Sequence, residues 1–327
     1  MLNLKGEARE SALRSRGWGG PRLRGATVMK EIVVVSGKGG SGKTIIAASL
    51  AYLFDQEGFK VMAVDVNVDT PTLRFILPMN KTIRKYKVYI SRKAAIDNAR
   101  CYGCLKCLDV CPYGAIEVLE EAERPRINVL YCEGCGACAL LCPASAISML
   151  EWKTGEMVLG ETEFGFPIFT AQLEIGGHNS GPLVHEIRKI ASDIARDMGI
   201  DLLVVDGSPG IECTVMASIV GATYATIVSE PTPQSFRGAF RATKIAQEFR
   251  VLAGFIINKS MGYPVEEEAE RILSIMNARV IGKIPYDYEV VKSLAVAKPV
   301  VAYSPESRAS KAMRIAYENI KVGVGLK

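Results

Sequence analysis

The stretch Val33–Ala51, VVVSGKGGSGKTIIAASLA, decides the fold. It reads as a buried strand, a glycine-rich turn and a helix. Within it, Gly37–Thr44 (GKGGSGKT) fits the phosphate-loop pattern G-x-x-x-x-G-K-[ST]. Gly37, Gly39, Gly40 and Gly42, with Ser41 among them, let backbone N–H groups curl around phosphate oxygens. The helix that follows adds the positive end of its dipole. Lys43 is expected to reach the β- and γ-phosphates and Thr44 to ligate Mg²⁺. A chance glycine turn would lack the strand before it and the apolar-faced helix, closed by Gly58, after it. Lys38 is surplus to this account, since one lysine is enough to hold a nucleotide.

Outward from the loop, apolar strands alternate with helical segments. KVMAVD ends at Asp65, DLLVVDGSPG carries Asp206 at a strand end, and AGFIINKS ends in Asn258-Lys259. Asp206 stands where a strand-end acid holds Mg²⁺ through water. The β-α-β order predicts an α/β fold, a doubly wound and mostly parallel sheet, interrupted over 93–150. The expected organisation is a tail at 1–28, a first nucleotide-binding part at 29–92, an insert at 93–150 and a second nucleotide-binding part at 151–327. The 327 residues carry a net charge of +5. Six Lys/Arg against two Glu in residues 1–28 supply four of those charges. That segment has no foldable period and reads as a flexible tail or an upstream start, with Met29 the natural first residue. The remainder is nearly neutral, which argues against nucleic acid as partner. No apolar run is long enough to cross a membrane.

The insert changes character. CYGCLKCLDVCP and CEGCGACALLCP each read C-x2-C-x2-C-x3-C-P, and each leads into a similar short segment, YGAIEV and ASAISM. This internal repeat has the bacterial ferredoxin spacing, in which the fourth cysteine serves the other cluster. One [4Fe–4S] cluster is expected on Cys101, Cys104, Cys107 and Cys142, and a second on Cys132, Cys135, Cys138 and Cys111. Zinc is the competing reading. Cys213, the ninth cysteine, lies just past Asp206 and reads best as a small buried thiol.

KGGSGKT resembles the deviant phosphate loop of the MinD/ParA/nitrogenase-iron-protein superfamily, and the resemblance runs from residue 29 to about 320. It implies an ATP-dependent sandwich dimer, of one chain or of paralogues, in which Lys38 reaches the partner's nucleotide. VDVNVDTPTL then corresponds to switch I, where the family often has two acids two residues apart. Here Asp65 is followed by Asn67, an amide that cannot take a proton as a carboxylate does. Slow hydrolysis, or substitution by Asp69, follows. Gly207–Gly210 corresponds to switch II. The family's adenine contact maps onto Asn258, and GKIPYD, with Pro285, resembles its loop near the base. The guanine signature N-K-x-D is broken by Met261, which favours ATP.

The leading expectation is an ATPase that gates electron transfer to a redox protein partner, in the cytoplasm and without stable membrane insertion. An iron–sulfur assembly or carrier ATPase is an alternative, although no C-x-x-C follows Cys213. A MinD-like regulatory switch with a redox-sensing module is another. His178 sits in a glycine loop near a strand end, His185 on a helix surface, and the last helix begins near Ser304-Pro305 and packs rather than anchors.

Overall fold

The computed structural model describes residues 29–118, 124–177 and 180–326. The expected tail at 1–28 and His178 lie outside the described residues. The strands are β1 (Lys30–Ser36), β2 (Val61–Asp65), β3 (Met79–Val88), β4 (Ser91–Ile96), β5 (Ile116–Val118), β6 (Pro125–Ile127), β7 (Ile147–Trp152), β8 (Gly155–Thr162), β9 (Pro167–Leu173), β10 (Leu202–Pro209), β11 (Tyr224–Ser229), β12 (Leu252–Ser260) and β13 (Arg279–Pro285). The helices are α1 (Lys43–Gln56), α2 (Lys106–Asp109), α3 (Ala137–Leu140), α4 (Gly181–Met198), α5 (Cys213–Ile219), α6 (Pro233–Glu248), α7 (Pro264–Ile275), α8 (Tyr288–Ala295), α9 (Val300–Tyr303) and α10 (Arg308–Val324).

A nine-stranded sheet has the order β13-β12-β11-β1-β10-β2-β9-β8-β3. β1 lies between β10 and β11 and runs parallel to both. The pairs β10–β2, β11–β12, β12–β13 and β2–β9 are parallel too. Such strands are buried on both faces, which is why β1 and β2 read as unbroken apolar runs. The chain leaves β1 toward α1 where the strand order reverses, the place at which open α/β sheets bind ligands.

The chain divides into two compact units. The larger contains β1, β2, β10–β13, α1 and α4–α10. Its main core joins Ile46, Leu50 and Phe54 of α1 to Met313, Ala316, Tyr317 and Ile320 of α10. Phe54 and Tyr317 meet edge to face, with ring centroids 4.6 Å apart. The last helix therefore packs as expected, but it starts at Arg308. Ser307 caps it by accepting from Ser310 N at 3.1 Å, whereas Ser304 ends the short α9. Two more caps hold helix starts: Ser180 accepts from Leu183 N and Thr232 from Ser235 N, each beside a proline that suits the first turn.

Among the described residues the smaller unit comprises 86–118, 124–157 and 172–177. Within it β4 and β7 pair antiparallel, Ser91 opposite Trp152 and Ile96 opposite Ile147. β5 and β6 form a second antiparallel pair. Its core is small: Ala94, Cys107, Ala115, Ile116, Cys132 and Cys138, flanked by residues such as Ile127, Ile147 and Met149.

Arg188 is the buried cation on which the end of α5 depends. Its Nε donates to Glu31 at 2.7 Å, and its guanidinium donates to the carbonyls of Ala217 (2.6 Å) and Val220 (2.7 Å) at the helix C-terminus. Arg188→Leu is expected to cost roughly 3–5 kcal/mol, because it strands a part-buried carboxylate and two carbonyls. Arg188→Lys restores only part of that, lacking the planar fork. The urea midpoint, with an unchanged denaturant slope, is the measurement.

Candidate functional site

The phosphate loop is shaped by close backbone approach. Gly40 and Gly42 both adopt left-handed φ, 81° and 88°, which glycine takes without strain. A Cβ on Gly42 would lie 2.2 Å from Asn258 Nδ2, and one on Gly37 would lie 2.2 Å from the backbone of Gly238 and Ala239 in α6. The loop is tied down from β12: Asn258 Nδ2 donates to Ser41 O at 2.7 Å, and Lys259 Nζ donates to Gly40 O at 2.9 Å. Lys259 also pairs with Glu230 at the end of β11. Ser41 Oγ is buried and has no hydrogen-bond partner. An orphaned hydroxyl inside a loop of N–H donors fits a phosphate ligand.

Lys43 and Thr44 open α1 and both converge on Asp206. Lys43 Nζ forms a buried ion pair with it, and Thr44 Oγ1 donates to its other oxygen at 2.7 Å. Asp206 is fully buried in the carboxyl half of β10 and stands in register with Asp65 of β2. Asp65, also fully buried, accepts from Asn67 N and Leu73 N at 3.0 Å each. Burial and then the neighbouring Asp206 carboxylate push Asp65 up to about 7, against the pull of Lys43.

The remaining expected residues spread around this centre. Asn67 is buried, and its amide donates to Thr70 O and Oγ1 at 3.2 Å each, so the side chain is engaged within its own loop. Asp69 is exposed. Lys38 and Gly39 are exposed. Pro285 closes β13 opposite Ser260. Cys213 is a correction: it is exposed at the first position of α5, so the buried-thiol reading fails. Its position outside the packed face of a short helix is the reason. His185 is exposed on α4, as expected.

In the smaller unit the two cysteine runs have matching backbones. Gly103 and Gly134, Leu105 and Gly136, and Gly114 and Ser145 occupy equivalent repeat positions, and all six have positive φ. The helices α2 and α3 follow the second cysteine of each run. Cys111, Cys132, Cys135 and Cys138 line a single cavity with Ala94, Ala115, Ile116 and Met149. Burial pushes the Cys138 thiol up, and Cys132, Cys111 and Cys135 add to it. Burial does the same to Cys107, with Cys101, Cys104 and Cys138 adding. Backbone N–H groups donate to the sulfurs: Ala94 to Cys132 and Ala115 to Cys111, both 3.4 Å, and Ala146 to Cys142 at 3.3 Å. All nine cysteines are free thiols, and among the described residues no three His, Cys, Asp or Glu side chains gather as a metal-holding group.

Sequence reasoning overlooked Lys259 and Glu230 as ties on the loop, and it missed Lys93, buried beside Cys132. The signal for Lys259 was present, a lysine directly after the strand-end asparagine. For Lys93 there was none, since a lysine in SRKAAI reads as exposed.

A family model for the CobQ/CobB/MinD/ParA nucleotide-binding domain matches residues 32–300. The chain is 31% identical over 298 residues to the uncharacterised protein MJ0578 of Methanocaldococcus jannaschii, covering 90% of this chain and 97% of that one. It is 27% identical over 287 residues to the uncharacterised ATP-binding protein MJ0823 of the same organism, covering 85% and 93%. Among solved structures it resembles the cell division ATPase MinD of Pyrococcus furiosus, with a TM-score of 0.54 and 19% identity, covering 90% of this chain and 99% of that one. At that identity the likeness is one of fold.

Asp65 makes the stability of the nucleotide-free chain depend on pH. In an unfolded chain an aspartate titrates near ~3.9. Folded Asp65 holds its proton up to about 7. The stability it contributes is therefore present below the unfolded value and is lost as pH rises through about 7. The urea midpoint is expected to fall as pH rises across this window, and Asp65→Asn is expected to flatten that slope.

Proposed function

This chain belongs to the CobQ/CobB/MinD/ParA nucleotide-binding domain family, and from that premise we propose that it is an ATP-binding, ATP-hydrolysing iron–sulfur protein that works as a nucleotide-gated dimer. The observation that carries the nucleotide half is the convergence of Lys43 and Thr44 on Asp206 below a loop that leaves no room for a side chain at Gly37 or Gly42. Gly37, Gly39, Gly40, Ser41 and Gly42 cradle the phosphates. Lys43 then exchanges Asp206 for the β- and γ-phosphates, while Thr44 and Asp206 hold Mg²⁺. Asn258 and Pro285 border the base, and the absence of a carboxylate at Met261 favours adenine. Lys38 is exposed, as a lysine that serves a partner's nucleotide has to be. The partner is a second copy or a paralogue.

Hydrolysis needs a group that orients water. Asp65 is engaged by two backbone N–H groups, and Asn67 offers only an amide held by Thr70. This leaves the exposed Asp69 as the nearby acid and favours slow turnover. Slow turnover is also the property of a MinD-like regulatory switch, which is the second reading.

The iron–sulfur half rests on the donor set. Eight thiols stand in two backbone-matched loops, four of them around one cavity, with N–H groups aimed at sulfur. A unit whose core is built largely of alanine and cysteine buries little hydrocarbon and needs another source of stability. Cys101, Cys104, Cys107 and Cys142 would hold one [4Fe–4S] cluster, and Cys132, Cys135, Cys138 and Cys111 the other. Such clusters supply one-electron chemistry. A redox protein is then the electron partner.

Lys43→Ala is expected to weaken Mg-ATP binding by ~10–100-fold, as loss of a charge-assisted contact implies. Lys38→Ala is expected to leave binding to the single chain intact and to abolish ATP-dependent dimerisation, read by light scattering. Anaerobically prepared protein is expected to contain about eight iron atoms per chain, two four-iron clusters. Its cluster potential is expected to shift by at least about 59 mV, tenfold for one electron, when Mg-ATP is added. Iron near zero would overturn the iron–sulfur reading, and an unmoved potential would favour the regulatory switch.

A further inference from the structure

The smaller unit contains one buried charged side chain among its described residues, and nothing above employs it. Lys93 is 2% exposed. Its ammonium donates to Cys132 O and, at 2.9 Å, to Gly176 O. Both partners are neutral carbonyls. An ammonium taken out of water onto neutral partners is costly unless a negative group lies close by.

Lys93 belongs to a three-residue brace on the second cysteine run. Before it, Arg92 O comes within 2.1 Å of where a Cβ on Gly134 would lie, so only glycine fits there. After it, Ala94 N donates to Cys132 Sγ at 3.4 Å. Three consecutive residues of β4 thus press on Cys132 and Gly134, and the middle one brings a positive charge. Ala115 N and Ala146 N donate equivalently to Cys111 and Cys142, one in each quartet, and the bond from Ala94 of β4 to Cys132 comes in addition.

Resting on the iron–sulfur reading, we infer that Lys93 sets the two cluster sites apart, giving the site on Cys132, Cys135, Cys138 and Cys111 the higher reduction potential. Reduction adds one electron and hence one negative charge to a cluster. No bond is made or broken, and Lys93 keeps its proton. A buried positive charge beside the site stabilises the reduced form, and N–H bonds to sulfur act in the same direction. An electron entering the pair settles at this site. The site on Cys101, Cys104, Cys107 and Cys142 is the more strongly reducing of the two. Lys93 is in this sense a positioning residue for charge, acting through the thiolates and touching no substrate.

The test is a dithionite titration of the full chain, reconstituted anaerobically and followed by electron paramagnetic resonance, with iron and sulfide assayed on each sample. In wild-type protein, Cys135→Ser is expected to move the higher of two potentials and Cys104→Ser the lower. Lys93→Gln, which keeps a hydrogen-bond donor and removes the charge, is expected to retain iron. It is expected to lower one potential by a factor of ten in the reduction equilibrium, about 59 mV for one electron, and to leave the other in place. Unmoved potentials in an iron-replete Lys93→Gln chain overturn the inference. So does movement of the higher potential by Cys104→Ser, a result that decides the matter even if Lys93→Gln fails to fold. A wild-type chain that takes up no iron fails at the iron assay instead, and overturns the iron–sulfur reading itself.

Discussion

Asp206 is a carboxylate with no access to water, and the larger unit is arranged so that it has partners there. Residues distant in sequence supply what solvent would: an ammonium from Lys43 and a hydroxyl from Thr44, both on the first turn of α1. A buried charge without such partners would be severely destabilising. That requirement fixes where α1 begins, how the loop before it must curl and which strand lies beside β1. It also sets the fate of Asp65, which stands in register with Asp206 on the next strand. Burial and then the carboxylate on the neighbouring strand raise Asp65.

The smaller unit follows a different logic. Parallel strands and long helices in the larger unit bury branched hydrocarbon. Here short antiparallel pairs surround alanine and sulfur. The repeat is visible in the backbone itself, in six left-handed residues at three equivalent positions. Five of these sites use glycine or a small serine, but Leu105 stands where its counterpart is Gly136. A leucine at φ 58° is strained, so the two loops are alike in path and unlike in ease.

Much of this was legible in the sequence because it depends on local rules. A strand, a glycine loop and a helix identify themselves by period and by residue type, and so do acids at the ends of apolar runs. The last helix shows the limit of that reasoning. Ser304-Pro305 and Ser307 are both plausible starts, and only the bond from Ser310 N selects the later one. β3 was invisible for another reason. MNKTIRKYKV is largely exposed and has little apolar alternation, so its place at the end of the sheet order comes from pairing with a strand far along the chain. Asn258 illustrates a third limit. Its type and its position at a strand end were readable, but its grip on Ser41 O is a long-range contact that no spacing reveals. The exposure of Cys213 and the burial of Lys93 are likewise decided by which face of an element meets its neighbours.

The meeting of Gly37 with Gly238 has a mechanical consequence. At that point the main chain of the loop lies directly on the main chain of α6, with no side chain on either to rotate or slide. Side-chain contacts yield by changing rotamer, but peptide planes in van der Waals contact have nothing to give. The joint is therefore without play. Displacement of the loop at Gly37 toward α6 meets main chain at once, with nothing between them to take up the movement.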